Sequence, residues 1–170
     1  MKIKVVVVGY GSIGRRHCEL LASMPEVSEV CCLTSQKDLP IKTLSSMDEL
    51  IKYGPDYIVL ASPTSNHYEQ LYFLETYLSN KKILVEKPLF DKIHDFYPVK
   101  NKVYVGYNLR FNPLIHEVKE KLKNKTIWNV NVFCGSNLEN WRNNISYNQS
   151  SSAKLETGGG VLLDLSHEID

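Results

Sequence analysis

Residues 3–17, "IKVVVVGYGSIGRRH", decide how the rest of the chain is read. Ile3–Val8 is a β-branched run, and from Val5 to Val8 every position is apolar. A strand that is apolar on both faces has no wet side, so it is expected in the middle of a sheet with helices covering both faces. The run passes directly into Gly9-Tyr10-Gly11-Ser12-Ile13-Gly14 and then into a helical segment. Strand, G-x-G-x-x-G, helix is the context in which this spacing carries a mechanism. Gly9 permits the tight turn, Gly11 lets the backbone approach a pyrophosphate, and Gly14 allows close packing of helix on strand, while the helix N-terminus faces the anion. The helix dipole contributes only about 0.3–1 kcal/mol. Backbone N–H groups along the turn and at Ser12 and Ile13 must therefore supply much of the grip.

Outward from that turn, the first hundred residues alternate short apolar runs with amphipathic segments. Further strands are expected at Val30–Leu33, Tyr57–Ala61, Ile83–Val85 and Val103–Gly106. Such alternation is the signature of βαβ units, so the fold class is α/β with a doubly wound, mostly parallel sheet. Two helix starts are marked. Ser46 precedes Met47–Lys52 with Glu49 placed for a capping box, and Asn66 precedes His67–Ser79 with Glu69 three residues on. Gly54-Pro55 stops the first of these.

The identity of the dinucleotide is read at the end of the second strand, about twenty residues after the last glycine, where an Asp or Glu would hold the ribose 2′-hydroxyl of NAD. Here the sequence is "LTSQKD", with Thr34, Ser35 and Lys37 at that place. No carboxylate repels a 2′-phosphate and a lysine is within reach, so NADP or NAD is expected with NADP slightly favoured. Asp38 is the acid that could still swing in.

After "VGYNLRFNP", residues 105–113, the pattern changes. Pro113–Lys123 reads as a charged amphipathic helix with Leu114, Ile115, Val118 and Leu122 on one face. In Ile127–Cys134, Trp128, Val130, Val132 and Cys134 alternate with Asn129 and Asn131, which suits an antiparallel strand with one wet face. A domain boundary is expected near 107, with 1–107 the dinucleotide-binding domain and 108–170 the beginning of a second, α+β domain built on an open antiparallel sheet. The next stretch, 137–157, has little apolar periodicity.

Composition narrows the partners. The chain has 170 residues, 43% of them hydrophobic and 23% charged, with a formal charge of +1. That balance gives no reason to expect nucleic acid or an anionic membrane. Uninterrupted apolar stretches such as Val5 to Val8 are far short of the ~20 residues that span a bilayer. Cys18, Cys31, Cys32 and Cys134 show no C-x-x-C spacing and no secretory signal precedes them, so a reducing, cytoplasmic setting is expected. "HEID" at 167–170 is the start of an H-E-x-x-H zinc motif without its second histidine. With no other ligand-spaced cluster in the sequence, no metal is expected.

Five stretches in order, "VVVVGYGSIGRRH", "ASPTSNHYE" at 61–69, "VEKP" at 85–88, "VGYNLRFNP" and the closing "GGGVLLDLSHEID", resemble the glucose-fructose oxidoreductase / inositol dehydrogenase (Gfo/Idh/MocA) family along essentially the whole chain. The segment from "NWRNN" to the end looks like a subgroup associated with surface-polysaccharide sugars. The resemblance implies an NAD(P)-dependent oxidoreductase acting on a sugar, cyclitol or sugar derivative. It also implies that Glu86 and Lys87 lie beside nicotinamide and substrate, that the Lys87-Pro88 bond is cis, and that Pro63, Thr64 and His67 lie by the cofactor. His67 equally fits a plain helix start. Asp164 and His167 are the aspartate and histidine that follow G-G-G, although the spacing here is D-x-x-H where the family more often has D-x-x-x-H.

Oxidising a secondary alcohol requires hydride loss from carbon and proton loss from oxygen. His167, of an ordinary pKa near ~6.5, is the candidate base, and such a base contributes about 10²–10⁴-fold. Lys87 would polarise the substrate oxygen and Asp164 would orient the substrate or hold the cations. Arg110, Trp141 and Arg142 are candidate substrate contacts. Family members carry a full second domain, so this chain is expected to be the N-terminal part of an enzyme whose full-length form is open to oligomerisation. The alternative is a truncated, non-catalytic NAD(P)-binding module.

Overall fold

The computed structural model describes residues 2–135 and 153–166. Its elements run β1 (Ile3–Val8), α1 (Ser12–Ala22), β2 (Val27–Leu33), β3 (Lys42–Leu44), α2 (Met47–Tyr53), β4 (Tyr57–Leu60), α3 (His67–Tyr77), β5 (Lys82–Val85), β6 (Lys102–Val105), α4 (Pro113–Leu122) and a one-turn α5 (Val161–Asp164). The six strands form one sheet of order β3-β2-β1-β4-β5-β6, and each neighbouring pair is parallel. Strand order reverses between β1 and β4, which makes the crevice beyond their carboxyl ends the topological switch point.

The central position of Val5–Val8 follows from its chemistry. All four valines are buried, and their alternation splits the core into two layers. Val6 and Val8 join Ile58, Leu60, Ile83 and Val85 under Leu50 of α2 and Leu71 and Leu74 of α3. Val5 and Val7 join Cys32 and Val59 under Cys18 and Leu21 of α1. Cys18, Cys31 and Cys32 are thus buried free thiols, and Cys134 is exposed.

Several element ends differ from the sequence reading. β2 begins at Val27, and the three-residue β3 was not expected because only Leu44 of it is buried. Ser46 caps α2 as expected, its Oγ accepting from the Glu49 N–H at 3.2 Å. The Glu49 carboxylate, however, accepts from the N–H and hydroxyl of Ser45, each at 2.8 Å, so the reciprocal half of the box falls one residue earlier. Gly54 ends α2 in the left-handed region. Asn66 does not cap α3 with its side chain. It lies at φ −93°, ψ −12°, inside a 3₁₀ turn over Thr64–Asn66, whereas an N-cap needs extended backbone.

The largest correction is at 127–134. No strand forms there among the described residues, and the sheet described ends at β6. Alternation alone does not make a strand; a ladder partner must satisfy its N–H and C=O groups. The apolar face of α4 is likewise exposed at Leu114, Ile115, Val118 and Leu122.

Candidate functional site

The turn after β1 is shaped by its glycines. Gly9 has φ +96°, and a Cβ there would stand 2.8 Å from the Ala61 carbonyl oxygen at the end of β4. At Gly14 a Cβ would come within 2.1 Å of the Gly9 carbonyl oxygen, so α1 starts pressed onto the turn that feeds it. Gly11 differs: a Cβ there would meet no protein atom within 4 Å. The space beside Gly11 is the cleft itself. Gly11 is also the N-cap of α1 and offers no side-chain acceptor, and the first turn holds no acid. The opening N–H groups of this helix, which have no intrahelical partner, are left for an anion.

The cleft that opens there has a volume of about 850 Å³, within the range of ligand pockets, ~300–1,000 Å³. Gly9, Gly11, Ser12 and Ile13 form one wall, Pro63 and Thr64 the floor after β4, and Glu86 and Lys87 the far wall after β5. The Lys87-Pro88 bond is cis. Thr157, Gly158 and Gly159 reach the same cleft, and Gly158, at φ +76°, packs where a Cβ would stand 2.7 Å from Thr64 Cβ.

Other expected residues fall elsewhere. Thr34, Ser35 and Lys37 are not in the cleft wall; Gln36 is, with its Nε2 donating to the Tyr10 carbonyl at 3.0 Å. Thr34 is half-buried, its N–H bonded to the Leu44 carbonyl and its hydroxyl accepting from the Gln36 N–H. His67 is buried behind the floor. Its Nε2 lies 3.0 Å from the Ser62 carbonyl and its Nδ1 lies 3.1 Å from Pro88 O and 3.2 Å from Leu89 O. It is a rivet between the two loops that carry Pro63 and Lys87. Burial pushes its pKa below the ordinary value, and the three carbonyls act against that shift. Arg110 lies outside the wall, its guanidinium 5.9 Å from the Tyr107 ring centroid. Asp164 ends α5. His167, Trp141 and Arg142 lie outside the described residues.

The wall also holds residues that sequence reasoning missed: Arg16 and His17 on α1, and Tyr107, Asn108 and Phe111 after β6. A signal existed for His17. It follows Gly14 by three positions and precedes Leu21 by four, which puts it on the sheet-facing side of α1. Among the described residues no group of three or more His, Cys, Asp or Glu is placed to hold a metal ion, and no helix is long and apolar enough to cross a membrane.

The fold is shared with solved dehydrogenases. Scyllo-inositol dehydrogenase from Lactobacillus casei superposes with a TM-score of 0.61 at 18% identity, over 71% of this chain and 41% of that one. The WlbA dehydrogenase from Bordetella pertussis, solved with NADH and UDP-GlcNAcA, gives 0.62 at 20% identity, over 72% and 42%. Myo-inositol 2-dehydrogenase from Lactobacillus plantarum gives 0.58 at 19%, over 73% and 42%. The chain thus spans about two fifths of the length of these structures. No curated protein matches it by sequence. The family model for the GFO_IDH_MocA oxidoreductases, NAD-binding Rossmann fold, matches residues 3–102, from β1 through the start of β6. With its glycine turn, switch-point cleft and parallel sheet, this chain belongs to the Gfo/Idh/MocA oxidoreductase family.

Proposed function

We propose that the cleft holds NADP or NAD and that the protein transfers a hydride between nicotinamide and a hydroxyl- or keto-bearing carbon of a sugar, cyclitol or sugar derivative. The observation that carries this reading is one cleft in which the glycine turn and the N-terminus of α1 face Glu86 and Lys87 across the switch point. The residues fit the group: Gly11 leaves space where a side chain would intrude, and no acid opposes a pyrophosphate in the first turn of α1. The adenosine half would lie toward β2 and the nicotinamide half over β4 and β5. A bound nicotinamide would supply the hydride acceptor or donor.

The chain's own residues supply the rest. Backbone N–H groups at the start of α1 bind the pyrophosphate. The Lys87 ammonium, projecting from the end of β5, attracts electron density on a substrate oxygen beside the nicotinamide. His167 takes the hydroxyl proton and Asp164 orients the substrate, as the family resemblance implies. NADP is slightly favoured because Gln36, the β2-side residue of the wall, is neutral and Arg16 adds positive charge to the lining. Residues 108–170 belong to the substrate side.

Titration of the full chain with NADH and NADPH, read by nucleotide fluorescence, tests the reading. Saturable binding with the tighter constant for NADPH is expected. Gln36→Glu should reverse that order, because a carboxylate there repels a 2′-phosphate and accepts from a 2′-hydroxyl. No saturation at millimolar dinucleotide overturns the proposal. Binding without turnover across a panel that includes inositols and nucleotide-linked uronic acids favours a non-catalytic binding module instead.

A further inference from the structure

One contact in the cleft is explained neither by the glycine turn nor by Lys87. His17 Nε2 lies 2.6 Å from Glu86 Oε1, across 69 residues of sequence, and the two side chains are only 19% and 17% exposed. An ionised carboxylate only accepts, so Nε2–H is the donor. The second oxygen, Oε2, accepts from the backbone N–H of Lys87 at 3.3 Å. On the remaining side stands Gly106, just past β6, where a Cβ would come within 3.2 Å of Oε2. Glu86 is therefore held by α1, by its own chain and by the end of β6. A carboxylate removed this far from water is costly unless its oxygens are engaged.

The pair sits at a particular place along the cleft. Gln36 marks the β2 side, where the adenosine half belongs, and Glu86 marks the end of β5, on the opposite side of the switch point. We infer that His17 is a positioning residue for the nicotinamide half of the site: by holding the Glu86 carboxylate against the Lys87 peptide, it couples the helix that grips the pyrophosphate to the strand end that presents Lys87. Such a tie matters because binding a long ligand to two elements costs ordering entropy if they are not already fixed relative to one another. The inference rests on the dinucleotide reading above and adds a residue to it.

The test compares NADH with ADP-ribose, which keeps the adenosine, the pyrophosphate and the second ribose but has no nicotinamide ring. Both are titrated into the full chain as wild type, His17→Leu, His17→Gln and Glu86→Gln, with circular dichroism checking that each variant is folded. His17→Leu is expected to weaken NADH by about tenfold, the scale of one lost hydrogen bond to a charged group, and to leave ADP-ribose unchanged. His17→Gln, whose amide N–H can reach the same oxygen, should recover most of the loss. Adding Glu86→Gln to His17→Leu should bring no further loss, since the two residues act as one unit. Equal weakening of both ligands would show that His17 merely supports α1 and would overturn the inference. So would NADH affinity that ignores all three substitutions. If His17→Leu does not fold, His17→Gln and Glu86→Gln still decide: both must lower NADH affinity less than tenfold and spare ADP-ribose. Wild-type protein that binds neither ligand would overturn the dinucleotide reading itself, and this inference with it.

Discussion

β1 and the segment 127–134 are both rich in apolar, strand-favouring residues, with opposite outcomes. Val5 to Val8 are at most 1% exposed, whereas Trp128, Val130 and Val132 are 92%, 67% and 63% exposed. The β1 valines have parallel partners on both sides, from β2 and β4, and helices over both faces. The later segment has no ladder partner among the described residues. Apolar character supplies a driving force of roughly 25 cal/mol per Å², but it acts only where something is present to bury against. α4 repeats the lesson in helical form: its cap is made, with the Asn112 side chain accepting from the Leu114 N–H at 2.9 Å, while its apolar stripe stays exposed.

Substitutions can break or sharpen that contrast, all read as unfolding free energies of the full chain in denaturant titrations. The largest effect belongs to the centre of the sheet. Ile58→Ala, at a fully buried site in β4, is expected to cost about 2–5 kcal/mol through lost transfer energy and the cavity left behind. A cost below the cost of any exposed change would contradict the two-layer core. Gly14→Ala comes next, at about 1–3 kcal/mol, because the added methyl must displace the Gly9 carbonyl and with it the turn. Ser46→Ala removes the acceptor for the Glu49 N–H and should cost about 1 kcal/mol.

A smaller, pH-confined effect is expected at His67. Burial lowers its pKa in the folded state, so just below the ordinary value of about 6.5 the unfolded chain takes up the proton first. Its contribution is fully present above that value and is lost as pH falls toward the lowered folded value. Thermal melts between about pH 7 and pH 5 should therefore fall more steeply for wild type than for His67→Gln. Equal slopes would mean that the histidine is not buried as described. The smallest effect belongs to the exposed segment. Val132→Ala should stay within about 0.5 kcal/mol of wild type, and a cost as large as that of Ile58→Ala would show that residues 127–134 are covered after all.

Much of the fold could be read from residues 3–105. The all-apolar run at Val5–Val8 implied a central strand, and the glycine spacing implied the turn that opens α1. Local chemistry marked Ser46 and Gly54 as the ends of α2. What sequence missed was short or non-local. β3 is three residues long with one buried side chain, too little pattern to detect. At the candidate site, reading by distance from the last glycine pointed to Thr34, Ser35 and Lys37. The backbone instead engages the Thr34 hydroxyl with the Gln36 N–H and sets Gln36 in the wall. His67 carried a family expectation of lying beside the cofactor, yet it reaches that region only through the carbonyls of Ser62, Pro88 and Leu89.

The sequence by itself determined the class of fold, the glycine turn and the strand ends that border the cleft. These depend on periodicity and on backbone freedom, which are local properties of the chain. Only the tertiary structure decided which side chains share the cleft. His17 and Glu86 are 69 positions apart, and they meet because α1 packs over β2, β1 and β4 while β5 is the next strand beyond β4. Tertiary packing also separated two apolar-rich stretches, since burial depends on a partner surface and no pattern within a segment can supply one.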